Sequence, residues 1–324
     1  MKIGLRIPCY RKWCRADEVR AIAIRAEERG FDSLWVQDHL VAPVGTAEET
    51  RVGGISRFMS GSTAAPAKPM TLAEYYAGDD WWLDPYIIWA YVAAVTTRVT
   101  LASDILVLPY RNPLVQAKML GTLDVMSNGR MMIGTGIGHV EAEARALATD
   151  YAARGRAHDE YIRIIRAVLG SEETSFDGEF YSFGPLRTLI RPVQPKGIPI
   201  YTGGNGPRAM RRAIELGDGW LPAAPDPEGL ANGIEMLRAM EKEMGRMEPL
   251  PIAVSLPSRI RLAVPGAPSG KSSLMSADEA TAILKQYEAL GVDHISLGLL
   301  MPNVEVYLQQ IDYFADQVLP HFRD

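Results

Sequence analysis

Between residues 16 and 29, Val19, Ile22, Ala23 and Ala26 fall at the i, i+3, i+4, i+7 spacing of one helical face, and Gly30 stands where a helix C-terminal glycine belongs. Short extended runs at 2–8 and 33–37 flank this helix, the second ending in Asp38-His39. The alternation then repeats. A helix over 85–96 with Pro85 in its first turn precedes a buried strand over 99–108. A helix over 113–126, an Asn128-Gly129 turn and a strand over 130–133 follow, then helical segments at 141–148 and 157–169. The remainder predicts strands at 198–202, around Trp220, within 252–264 and at 294–299, with helices at 207–216, 229–243, 277–290 and 304–318. Eight apolar strands, each followed by helix, imply parallel pairing, and eight such units close an α/β (β/α)8 TIM barrel.

Two stretches break the rhythm, one after strand 2 and one before strand 5. Residues 41–82, rich in Gly, Ser, Ala and Pro and ending in Trp81-Trp82, form an insertion that after a barrel strand lies over the active-site face, and we read it as a lid. Residues 174–195 contain Asp177-Gly178 flanked by aromatics, a hairpin signal. At about 150 residues per domain, 324 residues suggest two, but no linker divides the chain and residues 1–324 are expected to form a single barrel domain.

Composition narrows the function. With 34 Lys and Arg against 39 Asp and Glu the formal charge is −5, without a basic stripe, which argues against nucleic acid or an anionic membrane as partner. The longest apolar stretch, 87–95, falls far short of the roughly 20 residues of a membrane span, and the N-terminus has charges where a signal peptide has its apolar block, so a cytoplasmic location is expected. Cys9 and Cys14 are the only cysteines, which excludes a disulfide scaffold; the histidines show no metal-ligand spacing, and no metal is expected.

In this architecture the strand ends carry the chemistry. His39 is either a proton-exchanging side chain held over the mouth or a histidine satisfied by its loop. Gly134-Thr135-Gly136-Ile137-Gly138-His139 fails the G-x-G-x-x-G dinucleotide pattern. Its glycines permit close approach of a flat ligand, or mark a bulge or tight barrel corner. Thr202-Gly203-Gly204-Asn205-Gly206-Pro207 opens a helix whose start is crowded by Arg208, Arg211 and Arg212. That is a phosphate site, or else a solvated basic face. Asp104, within an apolar run, is expected to turn into the barrel mouth in preference to lying buried and unpaired. His158, His294 and His321 read as structural or surface residues, and no hydrolase elbow or zinc motif occurs.

Several segments taken together resemble the luciferase-like monooxygenase family: Ala26-Glu27-Glu28-Arg29-Gly30-Phe31-Asp32-Ser33-Leu34-Trp35 leading to Asp38-His39, Thr96-Thr97-Arg98-Val99, Leu123-Asp124-Val125-Met126-Ser127-Asn128-Gly129-Arg130 before Gly134-Thr135-Gly136, Arg191-Pro192-Val193-Gln194, Gly203-Gly204 and Leu216-Gly217-Asp218-Gly219-Trp220. The resemblance spans almost the whole chain and implies a barrel that binds FMN or the deazaflavin coenzyme F420. It places the ring near Asp104, Ile105, Gly136, Ile137, Gly138 and His139, and the cofactor phosphate at Thr202, Gly203 and Gly204. It also implies a cis peptide at Asp104-Ile105. The Asp-His ending resembles the F420-dependent branch, in which that histidine is the catalytic acid or base, whereas Glu-His is usual among FMN monooxygenases. His139 and Pro43 depart from the sugar-phosphate dehydrogenases of that branch, which carry Glu and Trp there, so a sugar phosphate is not implied.

The resulting expectation is an F420-dependent oxidoreductase, with FMN the alternative cofactor. It transfers a hydride to or from a small organic substrate, with His39 as proton donor or acceptor and Trp81 and Trp82 lining the substrate pocket under the lid. The rivals are a two-component FMN monooxygenase using reduced FMN and O2, and a flavin-binding storage or sensing barrel without turnover. The expected partners are the substrate, a separate flavin or F420 reductase and, by family resemblance, a second copy of the chain.

Overall fold

The structure, a computed structural model, describes residues 1–42, 81–223, 226–256, 260–267 and 274–323. The chain runs β1 (Lys2–Arg6), α1 (Ala16–Glu28), β2 (Ser33–Val36), α2 (Pro85–Val95), β3 (Thr100–Ser103), β4 (Leu106–Val107), α3 (Pro113–Met126), β5 (Met131–Gly136), α4 (Glu141–Ala146) and α5 (Arg154–Gly170). It continues through β6 (Glu173–Asp177), β7 (Ser182–Arg187), β8 (Ile200–Gly203), α6 (Pro207–Leu216), β9 (Gly219–Leu221), α7 (Pro227–Glu243), β10 (Ala253–Leu256), α8 (Ala277–Ala289), β11 (His294–Leu297) and α9 (Val304–Gln317).

Parallel pairing links β10, β11, β1, β2, β3, β5, β8 and β9 in that order. Parallel bridges from Trp220 to Ile252 and from Ala223 to Ser255 bring the two ends of the row together, so the barrel is nearly closed, as the βα alternation predicts. Local chemistry starts the helices where proline follows a cap. Asp84 and Asn112 accept from first-turn amides of α2 and α3, and Pro85 and Pro113 need no partner for a missing N–H.

Alternation along the strands sorts the wall into two faces. Ile3, Leu5, Leu34, Val36, Leu101, Ile133, Ile200, Val254 and Ile295 are buried in the main apolar core, while Trp35, Ala102, Met132, Leu221 and Ala253 cluster separately with Tyr201 inside the barrel. Above that inner cluster lies a polar layer. Arg6 meets Asp104 Oδ2 at 2.6 Å, and the same oxygen accepts from Ser296 at 2.7 Å and Ser255 at 3.1 Å.

The structure corrects two details of the sequence reading. The run 99–108 is two strands, β3 and β4, separated by a cis Asp104-Ile105 peptide, and Leu108–Tyr110 is a 3-10 turn. β5 does not stop at Ile133 but continues through Gly134 and Gly136, so these glycines lie inside the strand and not in a loop after it. The strand expected within 252–264 is Ala253–Leu256 among the described residues. The second insertion is the antiparallel hairpin β6–β7. Glu160 of α5 accepts the amides of Glu179, Phe180 and Tyr181 in its turn, at 2.7, 3.1 and 2.6 Å, and so ties the hairpin to the helix layer. The lid reading rests on residues 43–80, Pro43 included, which lie outside the described residues; Trp81 and Trp82 are within them.

Candidate active site

β2 delivers Asp38 and His39 to the C-terminal rim. Asp38 is buried and accepts from the Val107 amide at 2.9 Å and from both terminal nitrogens of Arg111, at 2.7 and 2.9 Å. Arg111 also reaches Asp84, at 2.8 Å. Burial opposes the charge of Arg111, but its bonds to Asp38 and Asp84 outweigh that and hold the guanidinium above its ordinary value. Asp38 is therefore an anchor for the end of the strand, and His39 is the residue presented to the rim.

His39 Nδ1 lies 2.9 Å from Glu143 Oε2, and the His39 side chain is 10% exposed. Its ring meets the edge of Trp82 at 4.7 Å and that of His139 at 5.6 Å, and Trp82 stacks on Tyr10 at 5.1 Å. Three of the residues singled out in the sequence, His39, His139 and Trp82, thus share one wall. Trp81 stands apart at the surface, under the guanidinium of Arg15 at 5.9 Å from its ring centre.

Burial and the neighbouring His39 push His139 down to about 4, so the ring is neutral at pH 7. Burial also pushes His294 down to about 4. A histidine with a folded value below its unfolded value contributes stability that is complete above about pH 6.5 and is lost as the pH falls toward 4. Denaturant unfolding at pH 7 and pH 4.5 is expected to show a loss on the order of 3 kcal/mol per ring at the lower pH, with little change between pH 7 and 8. Equal stability at pH 7 and 4.5 would show that these rings are not held neutral.

Asp104 turns inward and is buried there, with Oδ2 paired and Oδ1 without a hydrogen-bond partner among the described residues. It sits one layer down, bound to Arg6, because strand alternation carries it inward onto the guanidinium and two serines. Ile105, the next residue, is only half-buried and packs with Val107, Tyr110 and Ala144, the neighbour of Glu143. A Cβ added to Gly136 would lie 1.8 Å from Ile105 Cδ1, and one added to Gly203 would lie 2.9 Å from the Thr135 carbonyl oxygen and 3.3 Å from Ile105 Cγ2. These two glycines therefore make room for Ile105, which presents an apolar face at the mouth. Gly138 has φ +77 and lies close under the Tyr110 hydroxyl, and Ile137 beside it is half-buried.

At the end of β8, Tyr201 points into the barrel, so Thr202 faces the helices beside Thr135, its register partner. Thr202 is fully buried, and its hydroxyl has no hydrogen-bond partner among the described residues. Gly204, with φ +119, leads to Gly206, which caps α6 without a side chain to accept from the first-turn amides. Of the three arginines expected to crowd this turn, Arg212 is drawn away to Asp159 and the Gly155 carbonyl, while Arg208 and Arg211 are exposed.

Glu143, Arg111 and Tyr10 were not among the residues singled out. For Glu143 a signal existed: it stands three residues after Val140 and four before Leu147, an acidic residue on the apolar face of a helix. Arg111 and Tyr10 carry no such mark.

The luciferase-like monooxygenase family model matches residues 11–264. The F420-dependent glucose-6-phosphate dehydrogenase of Kineococcus radiotolerans is 30% identical over 203 residues, which cover 61% of this chain and 50% of that protein. Among solved structures, the monooxygenase RslO1 from Streptomyces bottropensis has a TM-score of 0.76 at 22% identity, covering 100% of both chains. An F420-dependent secondary alcohol dehydrogenase holding an F420-acetone adduct has a TM-score of 0.75 at 21% identity, covering 100% of this chain and 99% of that one. With the barrel, the strand-end residues and the family match in agreement, the chain belongs to the luciferase-like monooxygenase family.

Proposed function

We propose that the chain is a coenzyme F420-dependent oxidoreductase acting on a small organic substrate, with His39 exchanging the substrate proton. The observation that carries this reading is His39 itself, a nearly buried imidazole bonded at Nδ1 to a buried carboxylate and walled by Trp82 on the strand-end rim. The residues at the mouth suit a flat ring with a phosphate tail. Ile105 offers an apolar support bordered by Gly136, Ile137, Gly138 and His139, with Asp104 beneath. Gly203, Gly204 and the uncapped start of α6 offer amides to a phosphate, and the orphan hydroxyl of Thr202 lies beside them.

A bound deazaflavin supplies the hydride acceptor or donor. The protein's part is orientation and the proton. In the oxidative direction His39 takes the hydroxyl proton as hydride leaves the carbinol carbon, and in the reductive direction it returns a proton to the carbonyl oxygen. Trp82 and Tyr10 bound the substrate side and exclude water from it.

Side-by-side titration of the purified chain tests the cofactor. F420 is expected to bind at least about tenfold more tightly than FMN. Tighter binding of FMN, together with oxygen consumption on supplied reduced FMN, would replace the F420 reading with a monooxygenase. Binding of neither below about 1 mM would remove both.

A further inference from the structure

We propose that Glu143 is the positioning residue of this site, fixing the tautomer and orientation of the His39 ring; the proposal rests on His39 being the proton-exchanging group. Glu143 is completely buried on the apolar face of α4, where an ionised carboxylate persists only if its oxygens are bonded. Both are. Oε2 meets His39 Nδ1 at 2.9 Å, and Oε1 accepts the amides of Leu40 at 2.7 Å and Val41 at 3.3 Å. One carboxylate thus holds both the ring and the backbone that follows it.

Burial pushes the Glu143 carboxyl up, but the bonds from His39 and the two amides outweigh it and hold it below its ordinary value. An ionised carboxylate can only accept, so Nδ1 carries the hydrogen and the lone pair of the neutral ring sits on Nε2. The other groups nearby do not take this role. Asp38 is spent on Arg111 and the Val107 amide, His139 meets His39 edge-on, and Tyr110 lies against Glu143. Glu141, two residues earlier, is exposed and pairs with Arg145 at 2.6 Å, which makes it a matched control.

The test uses the whole chain with 15N-labelled histidine, His39 being assigned by its absence in His39→Ala. Without cofactor, His39 is expected as the Nδ1–H tautomer in the unmodified chain and in Glu141→Gln, and as a tautomer mixture in Glu143→Gln. With F420, kcat in Glu143→Gln is expected to fall about 10- to 100-fold while KM and F420 affinity change less than about threefold, and Glu143→Asp recovers part of the loss. An Nε2–H tautomer in the unmodified chain overturns the proposal, as does an unchanged single tautomer in folded Glu143→Gln. If Glu143→Gln does not fold, the unmodified chain and Glu143→Asp decide by the same criteria. Should His39→Ala keep full turnover, the functional reading fails, whereas the tautomer result still stands by itself.

Discussion

Replacing His39 with alanine is expected to lower kcat by about 10²-fold or more while changing F420 affinity by less than about threefold. The asymmetry follows from placement. His39 lies on the rim against Trp82 and His139, whereas the glycine turn and the start of α6 that suit the phosphate belong to β8 and the loop after it. Truncating the imidazole leaves that loop untouched and removes the group proposed to move the proton. A hundredfold loss corresponds to about 2.7 kcal/mol of transition-state stabilisation, within the ordinary range for a general acid or base. Steady-state kinetics with a parallel cofactor titration measure both quantities. Unaltered turnover would take His39 out of the chemistry.

The second large effect is on stability. Arg6→Met is expected to lower the unfolding free energy by about 3–5 kcal/mol, because it leaves the Asp104 carboxyl buried without its guanidinium. Burial pushes the Asp104 carboxyl up, against the pull of Arg6, Ser296 and Ser255. Arg6→Met combined with Asp104→Leu should cost well under the sum of the two single changes, since a buried pair replaced as a unit by apolar side chains leaves no orphan charge. Urea unfolding of the four chains measures this. A single-variant loss under about 1 kcal/mol would mean that the pair is not what holds the inner layer together.

Much of the barrel was legible because its signals are local. Helical spacing marks α1 through Val19, Ile22, Ala23 and Ala26, and proline after a capping side chain marks α2 and α3. His39 stood out because it ends an apolar run. Features that depend on distant contacts were not legible. Arg6 and Asp104 meet across 98 positions of sequence, and nothing near either one names the other. The break after Ser103 falls in an almost uniformly apolar stretch where no period changes. The sequence pattern ends β5 at Ile133, before the run of glycines, yet Gly134 lies within the strand and is required there: a Cβ would lie 2.2 Å from the Ser103 carbonyl oxygen on the adjacent strand.

The clamp of Arg111 on Asp38 and Asp84 has a bearing on how this chain can diversify. Asp38 precedes residues 43–80 and Asp84 follows them, and one guanidinium holds both, while Glu143 fixes Leu40 and Val41 and Trp82 rests on His39. The two ends of the segment are therefore both fastened to the barrel. Substitutions that spare Arg111, Asp38, Asp84 and Glu143 thus leave in place the bonds that fasten both ends of the segment beside His39.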